Sequence, residues 1–385
     1  MKIVHICLAN FYVDGMAYQE NLLPKYHAKQ NEVYIITSNF AFDSTGKKIK
    51  KEKDTYRNEF GIPVSVLEKK VILGRESRYN NYQGLYSSLI QIKPDIIFCH
   101  GGQFISLKDV IKYCRKHNHV RLYIDQHGDY YNTPVNTCRR RLGQWLIYGH
   151  WMRKAIPYVE KFWGVTPWRC EYLNDVYGIP KEKIDFLPMG GDDEKIHLTE
   201  QERIRRSIRA DHNICEDDIL IITGGKIDEA KQIDKLMESI IELNRDNVKL
   251  LVFGQASTTM LSKIELLAQD EHIRYIGWIP SDTVYDYFLA SDFCVFPGTH
   301  SVLWEQACAC GLPGVFRDWE GMHHVDVGGN AIFLREDSVT EMKRVLADLC
   351  ENPKKVANMQ MIAKTKGVST FAYSRIAKSA IMEKI

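Results

Sequence analysis

Short, almost uniformly apolar runs separated by mixed stretches dominate the first half of the chain. Residues 3–8, 33–37, 94–99, 120–124, 161–165 and 184–187 each read as a strand buried on both faces, and residues 16–30 read as a helix. After an acidic, helical-looking stretch at 192–217, which reads as a linker, the pattern starts again. Strands are predicted at 218–223, 248–253, 273–276, 293–296 and 314–316, with a helix from about Ile233. Apolar strands alternating with helical stretches predict two α/β units, each a parallel sheet covered by helices. Open parallel sheets bind ligands at the carboxyl ends of their strands, so two such units facing each other would form a cleft, and the loops after the strands are where chemistry is expected.

Composition narrows the class. The chain has 385 residues, room for two such units, with 45% hydrophobic and 26% charged residues, the balance of a globular protein. A net charge of +2 gives no overall field for nucleic acid. Ten cysteines stand singly, and the nearest pair, Cys308 and Cys310, has neither zinc nor redox spacing, which points to a reducing compartment. The N-terminal apolar run is too short for a secretion signal, and no run reaches the about 18 apolar residues that span a bilayer. A cytoplasmic protein is expected, soluble or resting on the inner face of the cell membrane. The basic run 47–57 reads as a solvated loop.

Two segments carry candidate chemistry. Gly224-Gly225-Lys226-Ile227-Asp228-Glu229-Ala230-Lys231 follows a strand and precedes a helix. Glycines let a ligand approach the backbone, two lysines suit one anion, and a helix N-terminus favours negative charge, so a diphosphate fits; two lysines on a solvated loop is the plainer reading. No Walker spacing is present. The second segment runs from Phe296-Pro297-Gly298-Thr299-His300-Ser301 through Glu305 to Gly311-Leu312-Pro313. It reads as a small-residue loop and a short helix, with Ser301 as N-cap and Glu305 placed to hold ribose hydroxyls bidentately, or simply an acid favoured by the helix dipole. In the first half, His127-Gly128-Asp129 follows a strand. Residues 139–154 flank Trp, Leu, Ile and Tyr with basic clusters; this reads either as a core helix with charged ends or as an interfacial helix for anionic lipid.

Together these segments resemble the retaining GT-B glycosyltransferases of family 4, glycosyl transferases group 1. Lys226 stands where that family has an arginine, Lys231 matches its lysine, and Gln232 stands where glycine is usual. Glu305-Gln306-Ala307-Cys308-Ala309-Cys310-Gly311-Leu312-Pro313 follows the second half of its Glu-containing motif. Gly190-Gly191-Asp192-Asp193 and Ala290-Ser291-Asp292 are similar to two further stretches, and His127-Gly128 to its Thr-x-His-Gly. The family's first glutamate is missing: eight positions before Glu305 stands Pro297, and His300 lies near the vacated place.

The resemblance implies a GT-B fold, two Rossmann-like doubly wound domains facing a cleft. Residues 1–195 would take the acceptor, 196–365 the nucleotide sugar, and 366–385 would form a helix crossing back to the first domain. It implies transfer from a nucleotide-diphosphate sugar, UDP favoured, to a glycan or lipid-linked acceptor in surface-polysaccharide assembly, with no metal or other cofactor. His127, Lys226 and Lys231 would be catalytic. Gly15, Gly225, Lys226, Lys231, Thr299, His300, Ser301 and Glu305 would bind the donor, with Gly15 either approaching the phosphate or serving as a turn glycine. Membrane contact would run through 139–154. A nucleotide-sugar epimerase and a non-catalytic sugar-binding subunit share the architecture and remain as alternatives. An NAD enzyme is disfavoured, because neither first strand is followed by Gly-x-Gly-x-x-Gly.

Overall fold

The first six apolar runs become strands of one sheet in the computed structural model, which describes residues 1–42, 48–50, 55–77, 79–133 and 137–383. That sheet contains β1 (Lys2–Cys7), β2 (Glu32–Ser38), β3 (Thr55–Arg57), β4 (Pro63–Leu67), β5 (Ile96–Cys99), β6 (Arg121–Gln126), β7 (Val159–Gly164) and β8 (Ile184–Phe186), in the order β8-β7-β6-β5-β1-β2-β4-β3. Every pairing is parallel except that of β3 with β4. Register is set by the apolar runs themselves: Ile3 faces Val33 on one side and Ile96 on the other. The helices Leu85–Ile92 and Leu107–Lys116 bury alternate strand side chains in one core with Val4, Ile6, Ile97, Leu122 and Phe162.

The second sheet contains β9 (Ile219–Gly224), β10 (Val248–Phe253), β11 (Ile273–Gly277), β12 (Phe293–Phe296), β13 (Gly314–Arg317) and β14 (Ala331–Leu334), all parallel, in the order β11-β10-β9-β12-β13-β14. The chain divides into two compact units, Met1–Pro188 with Ile376–Ile385, and Met189–Arg375. No helix among the described residues is long and apolar enough to cross a membrane.

Several elements escaped the apolar pattern. β3, β4, β14 and two small hairpins (Phe40–Phe42 with Lys48–Lys50, Val71–Ile72 with Arg75–Glu76) are five residues or fewer, too short for their pattern to stand out. Of the basic run read as a loop, residues 48–50 and 55–57 are strands, and 47 and 51–54 lie outside the described residues. The stretch expected as a linker belongs to the second unit. Its helix Gln201–Asp211 packs on Val284–Ala290, with Arg205 and Arg209 each 2.8 Å from one oxygen of Asp292. Arg209 is buried, and its Nη1 also donates to the carbonyls of Cys215 (2.8 Å) and Asp218 (2.9 Å). At the other end, Tyr373–Ala380 is helical and its last turn ties to the first unit. Trp163 Nε1 donates to Ala380 O (3.1 Å), and Tyr123 Oη to Ile381 O (3.1 Å).

Removing the buried Arg209 takes a charged donor from Asp292 and from the part-buried carbonyls of Cys215 and Asp218. Arg209→Met is expected to destabilise the second unit by about 3 kcal/mol, read by chemical denaturation, while Arg206→Met, on the exposed side of the same helix, leaves the midpoint unmoved.

Candidate active site

In the second sheet, β9 is flanked by β10 on one side and β12 on the other, so winding reverses between β9 and β12. The loops leaving these two strands part there, which opens a crevice at their carboxyl ends. They are the two segments singled out by sequence, and they touch backbone to backbone. A Cβ on Gly298 would stand 2.3 Å from Ala230 O and 2.4 Å from Lys231 Cα, so only glycine fits. The Thr299 amide donates to Ala230 O (2.9 Å). Lys231 Nζ donates to the carbonyls of Thr299 (2.6 Å) and His300 (3.2 Å). Burial is the main reason its pKa falls to about 8; Asp228 opposes the shift and Lys226 adds to it. Lys226 itself is exposed, 3.4 Å from Asp228. Gly225 has φ +107, where side chains are strained. Gln232, standing at the resembled family's glycine, has φ +53, a left-handed backbone that explains why glycine is usual there.

Glu305 lies in the helix Leu303–Ala309 and is wholly buried. Its Oε1 accepts from His300 Nε2 and His324 Nε2, each at 2.8 Å, so both nitrogens must carry their proton. Burial would raise this carboxyl, but the two imidazoles outweigh burial and hold it well below the usual carboxylate range. Oε2 is buried with no hydrogen-bond partner. Oε1 is thus engaged by the two imidazoles, and Oε2 alone keeps unused acceptor capacity. His300 also packs edge-on against buried Trp304 at 5.1 Å. Ser301 is not the helix cap: Val302 holds that position, and Ser301 contributes its carbonyl to the Trp304 amide (3.0 Å). His324 escaped the sequence reading because it sits in a short turn, His323–Val325, with no motif around it.

In the first sheet winding reverses between β1 and β5. His100 follows β5, Asp125 lies in β6, and His127 follows β6. Asp125 is fully buried. Its Oδ2 stands 3.0 Å from His100 Nδ1 and 3.2 Å from His127 Nε2, and its Oδ1 accepts the Gly101 amide at 2.7 Å. Burial pushes this carboxyl up, but His127 and His100 win and hold it low. Burial pulls His127 down, while Asp125 and Glu20 pull harder and raise it. His127 lines a pocket of about 310 Å³ with Asn10, Gln103, Gly128, Asn132 and Thr133. Asp129 is a turn residue, accepting the amides of Tyr131 (3.0 Å) and Asn132 (2.9 Å) and pairing with Arg169 (2.9 Å). Gly15 has φ +74 and donates its amide to Glu59 Oε1 (3.0 Å) in an exposed turn.

Each carboxylate with its two histidines brings three possible cation ligands together. The nitrogen–oxygen distances, 2.8 to 3.2 Å, are shorter than the about 3.4 Å between neighbouring ligands of a tetrahedral ion. Both rings converge on a single oxygen: at Glu305 each is hydrogen-bonded to it, while at Asp125 His100 is hydrogen-bonded and His127 Nε2 makes an ion-pair contact only. In 139–154, Cys138–Gln144, a π turn Trp145–Gly149 and His150–Ala155 run as one helical segment. Gly149, Met152 and Ala155 are buried, while Leu142, Trp145 and Leu146 are exposed. One face of the segment is thus core and the other exposes apolar side chains.

Residues 204–366 match the family model of Glycosyl transferases group 1. No curated protein sequence matches the chain. Solved structures share the fold over nearly its whole length. Anabaena Alr3699/HepE in complex with UDP is 15% identical over 98% of both chains, with a TM-score of 0.70. A glycosyltransferase from Rickettsia africae is 12% identical over 98% of this chain and 96% of that one, also at 0.70. A UDP-GlcNAc 2-epimerase from Neisseria meningitidis bound to UDP-GlcNAc is 14% identical over 99% and 100%, at 0.62. Identities this low speak to fold, and the matched domain speaks to chemistry: the chain is a glycosyltransferase of GT-B fold whose residues 204–366 form a glycosyl transferases group 1 domain.

Proposed function

We propose that the chain is a retaining glycosyltransferase that moves a sugar from a nucleotide diphosphate, UDP favoured, to a glycan or lipid-linked acceptor in surface-polysaccharide assembly. The observation that carries this reading is Lys231, held across the two loops at the winding reversal of the second sheet by two backbone carbonyls. Burial makes its charge costly until an anion arrives. Two of its protons are engaged and a third can meet a diphosphate oxygen. UDP in the Anabaena neighbour supports the choice of base.

In the proposed reaction the bond between the anomeric carbon and the diphosphate oxygen breaks. The acceptor oxygen bonds the same face of that carbon, and its proton passes to the departing diphosphate. Lys226 and Lys231 stabilise the charge growing on the leaving group, so no metal is required. Thr299 and His300 act through the carbonyls that hold Lys231, Glu305 Oε2 accepts a ribose hydroxyl, and Gly225 and Ser301 line the approach to the phosphates. In the first unit, His127 contacts the transferring sugar or the acceptor, and Gly15 stays at the phosphate approach as the resemblance has it. A nucleotide-sugar epimerase is the second reading, favoured by the epimerases of the same fold.

A thermal-shift panel of UDP, GDP, ADP, CMP and their sugar conjugates tests the donor site. Stabilisation by uridine nucleotides, lost in Lys231→Ala, is expected; no shift from any nucleotide would overturn the assignment and favour a non-catalytic subunit. Conversion of UDP-GlcNAc to its epimer without any acceptor would select the second reading. Because Lys231 titrates near 8 and must be charged to hold the anion, UDP should bind best below that pH. Its Kd is expected to rise about tenfold by about pH 9, and Lys231→Arg, which stays charged, should flatten that rise.

The membrane contact is assigned to the exposed face of 139–154, where Arg140, Arg141 and Lys154 accompany Leu142, Trp145 and Leu146. Flotation with anionic liposomes should capture the wild type and lose the double variant Leu142→Asp/Leu146→Asp. Equal capture of both removes this face from the membrane.

A further inference from the structure

Behind Asp125, four hydrogen bonds run in a row through the interior of the first unit. His27 Nε2 stands 2.7 Å from Ala377 O, and His27 Nδ1 3.0 Å from His5 Nε2. His5 Nδ1 stands 2.9 Å from His100 Nε2, and His100 Nδ1 3.0 Å from Asp125 Oδ2. All three rings and the carboxylate are buried. Successive rings lie 26° and 22° from coplanar with centroids 5.2 Å apart. With their nitrogens facing, this is an edge-to-edge imidazole chain rather than a stack.

The two ends determine how many protons the chain holds. A carbonyl oxygen and a carboxylate oxygen can only accept. Each of the four gaps needs one proton, and three neutral imidazoles bring three. Counted from Ala377, the donors are His27 Nε2, His5 Nε2 and His100 Nε2. That order leaves a bare His100 Nδ1 against a bare carboxylate oxygen, and the opposite order leaves a bare His27 Nε2 against Ala377 O; any order of three protons leaves two lone pairs facing each other in a dry interior, which is costly. One further proton, on His100 as imidazolium or on Asp125 as carboxylic acid, removes the conflict and brings the buried set to zero net charge. Burial and mutual repulsion push His5 and His27 down, so the extra proton rests at the Asp125 end.

We propose that His27, His5 and His100 are positioning residues that together hold one proton beside Asp125 and thereby set the charge of His127 at its pocket. Asp125 faces His127 on its other side. The remaining groups around it are the Gly101 amide, Gln19 Nε2 at 3.4 Å, and Cys99, whose thiol is kept protonated by burial. Glu20 and Arg169 act on His127 with opposite signs. With the extra proton in place, His100 answers most of the carboxylate's field, and His127 holds its own proton less tightly. Without it the whole field falls on His127. The proton count stands on the hydrogen-bond chain alone; its bearing on turnover rests on the role of His127 proposed above.

Nitrogen-15 NMR of histidine-labelled protein, with carbon-13 at the Asp125 carboxyl, tests the count at about pH 8, above the ordinary histidine value of about 6.5. Four protons in the chain are expected; three overturn the proposal, and this holds whether or not any variant folds. His5→Phe removes the acceptor of His100 Nε2, so His100 turns its single proton toward Asp125 and the extra one is lost. The pKa of His127 should then rise by about one unit, carrying a limb of the kcat/KM pH profile with it. His27→Gln can still donate to Ala377 O and accept from His5, and should keep both the count and the His127 pKa. An unmoved His127 in a folded His5→Phe protein, or equal shifts in both variants, would overturn the link to His127. If nucleotide binding fails but four protons are found, the donor assignment falls and the chain stands.

Discussion

Where each parallel sheet reverses its winding decides where its chemistry can be. A right-handed crossover carries every loop off the carboxyl edge to one side or the other, and only at the reversal do successive loops part and leave backbone uncovered. In the second sheet the reversal falls between β9 and β12. The two loops can meet there only because position 298 has no side chain. Lys231 depends on that contact: without the approach of Gly298 to Ala230, the carbonyls of Thr299 and His300 would not reach its ammonium group. Its lowered pKa, and the pH dependence that follows, come chiefly from the burial of its ammonium group, with Lys226 adding to the shift.

Both units also bury a carboxylate completely and answer it in the same way. Asp125 and Glu305 each place two imidazoles on one oxygen. Burying a carboxylate is expensive unless its lone pairs are met by donors, and histidine meets them while keeping the option of carrying charge. The second oxygens differ. That of Asp125 is satisfied by the Gly101 amide. That of Glu305 is buried with no hydrogen-bond partner, so its acceptor capacity is unused. Where the resembled family pairs two acids, this chain joins one acid to two bases, and the polarity of that part of the site changes accordingly.

The apolar runs at 248–253 and 293–296 coincide with β10 and β12, because a strand buried on both faces must be apolar throughout. The glycine-lysine segment and the Thr299–Glu305 segment were legible for a related reason: each follows such a run directly. Short strands such as β4 were not, since alternation over five residues does not stand out from loop sequence. The helix Gln201–Asp211 read as a linker because its charged residues dominate, and Arg209 pairs inward with Asp292, a partner 83 positions away.

By itself, then, the sequence determined the alternation of strands and helices, the two-sheet class and the loops where donor chemistry is proposed, all of which follow from local hydrophobicity and backbone permissiveness. Only the tertiary structure decided the partners. His5, His27 and His100 lie on separate elements, 22 and 95 positions apart in the two contacts they make, and His324 reaches Glu305 from a turn of no distinctive composition. Which of these histidines meet is set by the order of strands in each sheet, and strand order is fixed by the packing of the whole core, which no local pattern encodes.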